Sequence, residues 1–322
     1  MKSIIVWKLI RNSMERRVPV MLLYVLESKG SSPGRQGFFM AVNANGQMEG
    51  SIGGGMMEHK FVEMAKEKLI TAKNQLPETG IKKQVHDKSA AKNQSGMICS
   101  GEQTIVLHAV HPEDTIAVEK IIASQEQHKN GCLILSPKGI QFDSNIPDND
   151  FEFEMNSEED WIYKEKTGYK NQLFIIGGGH CSLALSTLMF PMDFYIRVYD
   201  DRKDLKTMLE NTSAHEKHFI NNYEAVGTSI HSGQHQYVVI MTFGYRSDDI
   251  VVRSLLGKNF KFFGLLGSKT KIEKMFGDYR QQGFKEEWLQ RIHTPVGLDI
   301  KSQTPEEIAV SIAAEIIKVK NK

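Results

Sequence analysis

The chain has 322 residues, 40% hydrophobic and 25% charged, and its 40 Lys plus Arg nearly balance 39 Asp plus Glu for a net charge of +1. This composition supports packed cores in about two domains of roughly 150 residues each and argues against wholesale disorder. The balanced charge supplies no basic excess for a nucleic-acid partner, and three cysteines (Cys99, Cys132 and Cys181) are too few and odd for a disulfide framework, which suits a reducing, cytoplasmic setting.

Trp7, Ile10 and Met14 recur at helical spacing, so the first segment reads as an amphipathic helix, not a signal peptide. No apolar run approaches the ~18 residues of a membrane span, and no membrane association is expected. Val18–Leu26 has strand character, Gly30-Ser-Ser-Pro-Gly34 must turn, and Phe38–Val42 predicts a second strand with a short return over Gln47–Glu49. Gly50-Ser-Ile-Gly-Gly-Gly55 then precedes a helix whose apolar side is predicted to carry Met56, Met57, Phe61, Met64, Ala65 and Leu69. Strands are predicted over Gln103–Ala109 and Gly131–Leu135 with a helix from Pro112 to His128 between them. Without a βαβ rhythm, this half reads as α+β.

The texture changes between Ser136 and Lys170, where Pro, Gly, Asn and an acidic group accumulate and Phe151–Met155 alternates as one edge strand. The domain boundary is placed in this stretch, giving an α+β domain with linker over 1–150 and a second domain over 151–322. In the second domain strands over Leu173–Ile176, Tyr195–Tyr199, Tyr237–Met241 and Phe260–Leu266 alternate with helices over Cys181–Phe190, Lys203–Asn211, Ser247–Gly257 and Lys271–Gln282. That alternation predicts an α/β, Rossmann-like parallel sheet.

The most mechanistic segment is Leu173-Phe-Ile-Ile-Gly-Gly-Gly-His180, a strand entering a glycine turn before a helix. Gly177 and Gly179 fill two positions of the dinucleotide fingerprint, Ser182 stands at the third, and Gly178 lies between. Glycines there allow backbone N–H groups to approach a pyrophosphate. Asp200, at the end of the next strand, is the acidic residue expected to accept ribose hydroxyls. His180 is placed either to reach a phosphate or substrate or to cap the helix, and the residues alone do not choose. A second turn, Gly267-Ser268-Lys269, is a candidate anion site on the same crevice, with a basic solvated helix start as its plain alternative. Thr304-Pro-Glu-Glu307 is a capping box opening a structural helix.

In the first domain the Gly53, Gly54, Gly55 run is no Walker loop, since no Gly-Lys-Ser/Thr follows. It is either a tight structural turn or an anion cradle, with Glu58 and His59 in the helix turn behind it. Cys99 lies in the glycine-flanked turn Gly96-Met-Ile-Cys-Ser-Gly101, where a thiol is either accessible or inert. Cys132 reads as core. Cys181 lies inside a helix start that lowers a thiol pKa, unless burial prevails. The histidines form no metal pattern.

Taken together, Gly30–Pro33, Gly50–Gly55 with Glu58, the Cys99 turn, Ile176–His180, Asp200-Asp-Arg202, Gly264–Lys269, His293–Ile300 and Thr304–Ile312 resemble the XdhC/CoxI family of accessory proteins of molybdenum hydroxylases. The resemblance implies an amino-terminal XdhC/CoxI-type α+β domain and a carboxyl-terminal Rossmann domain. It also implies a non-catalytic maturation factor that binds molybdenum cofactor, promotes its sulfuration with a cysteine desulfurase and helps load it into a xanthine dehydrogenase-type client in purine catabolism. By resemblance, Gly53, Gly54, Gly55, Glu58 and Cys99 handle the cofactor, and Gly177–His180 with Asp200 form a nucleotide-like site for NAD(P) or another nucleotide. Three cysteines cannot supply the iron–sulfur clusters of a catalytic hydroxylase. The alternative is an NAD(P)-dependent oxidoreductase using the Rossmann domain. A homodimer is expected because two-fold pairing is commonest. The chain departs from the family at Ser100, where a glycine is usual, at Cys181, where Val is more frequent, and at Phe243, where His is usual.

Overall fold

The computed structural model describes residues 3–71, 77–85 and 101–322. The chain divides into two compact units, Met1–Gly168 and Tyr169–Lys322.

The first unit runs α1 (Ser3–Glu15), β1 (Val20–Gly30), β2 (Phe39–Asn43), β3 (Met48–Gly50), α2 (Gly55–Thr71), β4 (Gly80–Val85), β5 (Gly101–Ala109), α3 (Thr115–Glu126), β6 (Gly131–Ser136), β7 (Gly139–Asp143), β8 (Phe151–Ser157) and β9 (Asp160–Thr167). An antiparallel sheet has the order β3-β2-β1-β5-β4, and a second has the order β7-β6-β9-β8. Successive β1 side chains go to opposite faces. Leu22, Tyr24 and Leu26 pack with Trp7 and Ile10 of α1, Ile121 of α3 and Tyr163 of β9. Met21, Leu23 and Val25 pack with Met57, Phe61 and Ala65 of α2. Met56 is not on that side as expected: it is 73% exposed, because the buried arc of α2 passes through Met57, Phe61, Val62, Ala65 and Leu69.

Strand β8 is an edge strand, as its alternation predicts, but it pairs with β9, which pairs with β6. Residues 151–167 therefore complete the first unit, and the chain passes to the second between Gly168 and Tyr169, not at 150.

The second unit runs β10 (Asn171–Ile176), α4 (His180–Met189), β11 (Phe194–Asp200), α5 (Lys206–Leu209), β12 (Glu216–Phe219), α6 (Val226–Ser229), β13 (Gly233–Ile240), α7 (Tyr245–Leu255), β14 (Phe260–Leu265), α8 (Lys269–Gln281), α9 (Glu286–Leu289) and α10 (Pro305–Lys320). Its sheet has the order β12-β11-β10-β13-β14, with every pair parallel. Leu173 and Ile175 face α4 and α10, while Phe174 and Ile176 face α7 and α8. The order reverses between β10 and β13, the switch point at which such sheets open a crevice. The helix expected over Lys203–Asn211 shrinks to the single turn α5, which is tied to neighbouring elements both from within the turn and just after it. Thr207 donates to the Gly178 carbonyl at 2.6 Å, and Asn211 donates to Ser186 Oγ at 2.9 Å while accepting from the Ala214 N–H. The capping box forms as read, with the Glu307 N–H donating to Thr304 Oγ1 and the Thr304 N–H to Glu307 Oε2, each at 3.2 Å. Among the described residues no helix is long and apolar enough to cross a membrane.

Candidate functional site

The glycine motifs of the first unit converge. A methyl group at Gly53 would lie 2.5 Å from the Gly34 nitrogen, and one at Gly101 would lie 2.6 Å from the Ser31 carbonyl carbon. The two loops and the start of β5 thus pack backbone against backbone, which only glycine permits. Gln103, 1% exposed, reaches from β5 and donates to the Gly34 carbonyl at 2.9 Å and the Ile52 carbonyl at 3.3 Å. Gly53, Gly54 and Gly55 have φ of +131°, +75° and +67°.

Glu58 reaches back into this loop. Its Oε2 accepts from Ser51 Oγ at 2.6 Å, the Ile52 N–H at 2.9 Å and the Gly54 N–H at 3.0 Å. Its Oε2 sits among the Ser51 hydroxyl and two backbone donors, so the carboxylate shapes the loop. Cys99 and Ser100 lie outside the described residues. Cys132 is buried, as read, and its thiol is pushed up by desolvation. Burial also pushes up Cys181, prevailing over the helix start. No group of three His, Cys, Asp or Glu among the described residues is disposed to hold a metal. His108 instead meets Asp114 Oδ2 at 2.8 Å in the core, and the Ile140 N–H donates to Oδ1 at 2.7 Å.

In the second unit Gly177 closes the turn. Its φ is +110°, its N–H donates to the Tyr199 carbonyl at 2.8 Å, and a methyl there would strike the Met241 carbonyl oxygen at 2.2 Å. Gly178 lies over Met208, where a methyl would stand 2.9 Å from the sulfur. Gly179 caps α4 through its backbone, and a methyl on it would meet nothing within 4 Å. The open side of the turn is therefore at Gly179, where the first N–H groups of α4 have no intrahelical acceptor. His180 is exposed in that first turn. Ser182, fully buried, allows the close helix–strand packing its position requires. The residues present fit a phosphate at this turn.

Asp200 is not the free ribose acceptor that its position predicts. It is fully buried. Oδ2 accepts from the Gly178 N–H at 2.6 Å and from Arg202 Nη2 at 2.8 Å, and Oδ1 accepts from Arg202 N and Nε, both at 2.9 Å. Desolvation alone would raise this carboxyl, but Arg202 and the Gly178 N–H outweigh it and hold the group below the usual carboxylate range. Its role is to latch the glycine turn to β11. The latch partner, Gly178, is 22 residues away, so local pattern could not reveal it.

Two further residues complete the crevice. Arg202 places its guanidinium carbon 5.8 Å from the centroid of the Phe243 ring, a cation–π contact. Phe243 follows β13 and is 91% exposed. The signal available for it was an apolar residue between Thr242 and Gly244 at a strand end facing the switch point. Beside it, buried Asp248 accepts from Thr242 Oγ1 at 2.5 Å and pairs with Lys271. Burial raises the Asp248 carboxyl even against Lys271 and Thr242. Ser268 caps α8 by accepting the Lys271 N–H at 3.3 Å, while Lys269 is exposed. Their turn follows β14 and so opens on the same sheet edge as Gly177–Gly179, because all five strands are parallel.

The second unit is thus a Rossmann-type domain with a phosphate-compatible glycine turn, and the first is an antiparallel unit built around a glycine cradle. Residues 173–316 match the model of the XdhC Rossmann domain and residues 13–79 that of the XdhC and CoxI family, and the chain belongs to the XdhC/CoxI family. It is 26% identical over 310 residues to the uncharacterized protein YqeB of Escherichia coli (strain K12), which covers 95% of this chain and 44% of that protein. It is 28% identical over 155 residues to a probable xanthine dehydrogenase subunit from Bacillus subtilis (strain 168), covering 48% and 44% respectively. The chain thus spans less than half the length of these curated relatives. A crystal structure described as a xanthine dehydrogenase from Bacillus halodurans shares the fold with a TM-score of 0.70 at 22% identity, covering 98% of this chain and 95% of that one.

Proposed function

We propose that the protein is an accessory factor for a xanthine dehydrogenase-type molybdenum hydroxylase, holding molybdenum cofactor for sulfuration by a cysteine desulfurase and insertion into the client. Membership of the XdhC/CoxI family supports this reading, as does the name of the Bacillus subtilis relative. The structural observation that carries it is the convergence of the Gly30–Gly34 loop, the Gly50–Gly55 loop and Gly101 at one cradle stapled by Gln103. Molybdenum cofactor is a pterin with a terminal phosphate, and glycine-rich backbone suits such a group. The Rossmann turn supplies a second phosphate-compatible surface, read here as a nucleotide site.

The test is to purify the protein from a host competent in molybdenum cofactor synthesis and assay pterin released on denaturation, with hydroxylase activity measured on co-expression. Bound pterin and raised activity are expected. Absence of pterin together with no gain in activity would overturn the reading, and turnover of a carbonyl substrate with NAD(P)H would favour an oxidoreductase. Cys99→Ser is expected to lower pterin retention at unchanged thermal stability.

A further inference from the structure

We infer that the Rossmann crevice selects a 2′-phosphorylated adenine dinucleotide over its 2′-hydroxyl counterpart, with Arg202 meeting the phosphate and Phe243 the adenine face. The inference rests on the nucleotide reading of the crevice and specifies its ligand.

In a sheet of this topology the ribose of a dinucleotide comes to the end of the second strand, where an acidic side chain recognises the two hydroxyls or an arginine recognises a 2′-phosphate. Here the second strand is β11, and its terminal carboxylate is spent. Four donors from Gly178 and Arg202 saturate Asp200, which has no exposed surface. A ribose diol would have to break the latch on the glycine turn that also receives the pyrophosphate. Hydroxyl recognition and turn geometry therefore compete for one group.

Arg202 has the opposite character. Its Nε and Nη2 are occupied by Asp200, its side chain is 40% exposed, and Nη1 has no acceptor among the described residues. Asp200 fixes the plane of the guanidinium through its Nε/Nη2 edge, so a phosphate meets Nη1 and the second Nη2 N–H already oriented. The neighbouring Asp201 is turned toward Tyr223, whose hydroxyl donates to it at 3.2 Å. On the other side of β10, Phe243 lies in the bend between β13 and α7 and presents its ring to solvent beside Arg202. β11 and β13 flank β10, so Arg202 and Phe243 bracket the Gly177–Gly179 turn. Phe243 is 91% exposed, with the Arg202 guanidinium at one side of its ring, so the rest of the ring is an open stacking surface, and every nucleobase has a π-face that fits one.

The experiment is equilibrium titration of the full chain with NADP+, NAD+, 2′,5′-ADP and 5′-AMP. NADP+ should bind at least about tenfold tighter than NAD+, and 2′,5′-ADP tighter than 5′-AMP, the worth of one charge-assisted fork. Phe243→Ala should weaken both dinucleotides by about tenfold and leave their ratio and the melting temperature unchanged. Arg202→Lys keeps a cation beside Asp200 but loses the fork, and should bring the ratio close to one. NAD+ binding as tightly as NADP+, or an unchanged ratio in Arg202→Lys, overturns the inference while leaving the nucleotide reading intact. Failure of all four ligands to bind overturns both.

Discussion

Single side chains in this molecule carry roles that their positions alone do not disclose. Asp200 occupies the place of a ribose acceptor yet acts as a latch between β11 and the glycine turn. Replacing it by Asn leaves Arg202 without its counter-charge. The expected loss is on the order of 2 kcal/mol, below that of a fully buried pair because Arg202 is partly solvated. The carboxyl titrates below its ordinary value, so its contribution is complete above about pH 4 and is lost as pH falls through the lower folded value. Urea midpoints of wild type and Asp200→Asn should therefore differ at pH 7 and draw together only as pH falls below the ordinary carboxylate range. The strand–turn–helix pattern made the fold around Asp200 legible. Its bonding was not, because Gly178 meets it only after the sheet has formed.

At the scale of elements, the motifs with strong local chemistry were the readable ones: the Gly177 turn, the Thr304 capping box and the alternation of Phe151–Met155. The strands β4, β7, β9 and β12 were not legible. β4 carries Lys82 and Lys83 on an edge, and β12 is the four-residue edge Glu-Lys-His-Phe, so neither shows an apolar run. In β9, Trp161 and Tyr163 alternate correctly, but Lys164, Glu165 and Lys166 hide the pattern. The cradle illustrates a further limit, since the glycines of three loops meet only in space. Gly53→Ala would force a methyl within 2.5 Å of the Gly34 nitrogen at a φ of +131°, whereas Gly54 has open space and a φ of +75°. Thermal denaturation should show Gly53→Ala losing about 3 kcal/mol and Gly54→Ala about 1 kcal/mol, the cost of the left-handed region alone. Equal losses would mean that the loops do not pack backbone to backbone.

For the whole molecule, each unit has its own apolar interior, two clusters in 1–168 and two in 169–322. A fragment starting at 169 should fold and unfold cooperatively, as expected of a domain with a complete core. A fragment starting at 151 carries β8 and β9 without β6 and strands Trp161 and Tyr163, which are core in the full chain. It should be less soluble, and size-exclusion chromatography with circular dichroism of both fragments decides the point. The composition change near Pro147 marks an exposed loop inside the first unit, which is why texture placed the boundary early.

The Glu58 carboxylate has one more consequence. It is a tethered competitor for the loop donors, present at an effective concentration on the order of millimolar or above. An anion entering this loop must displace Glu58 Oε2 from Ser51 Oγ and from the Ile52 and Gly54 N–H groups before it gains their donors.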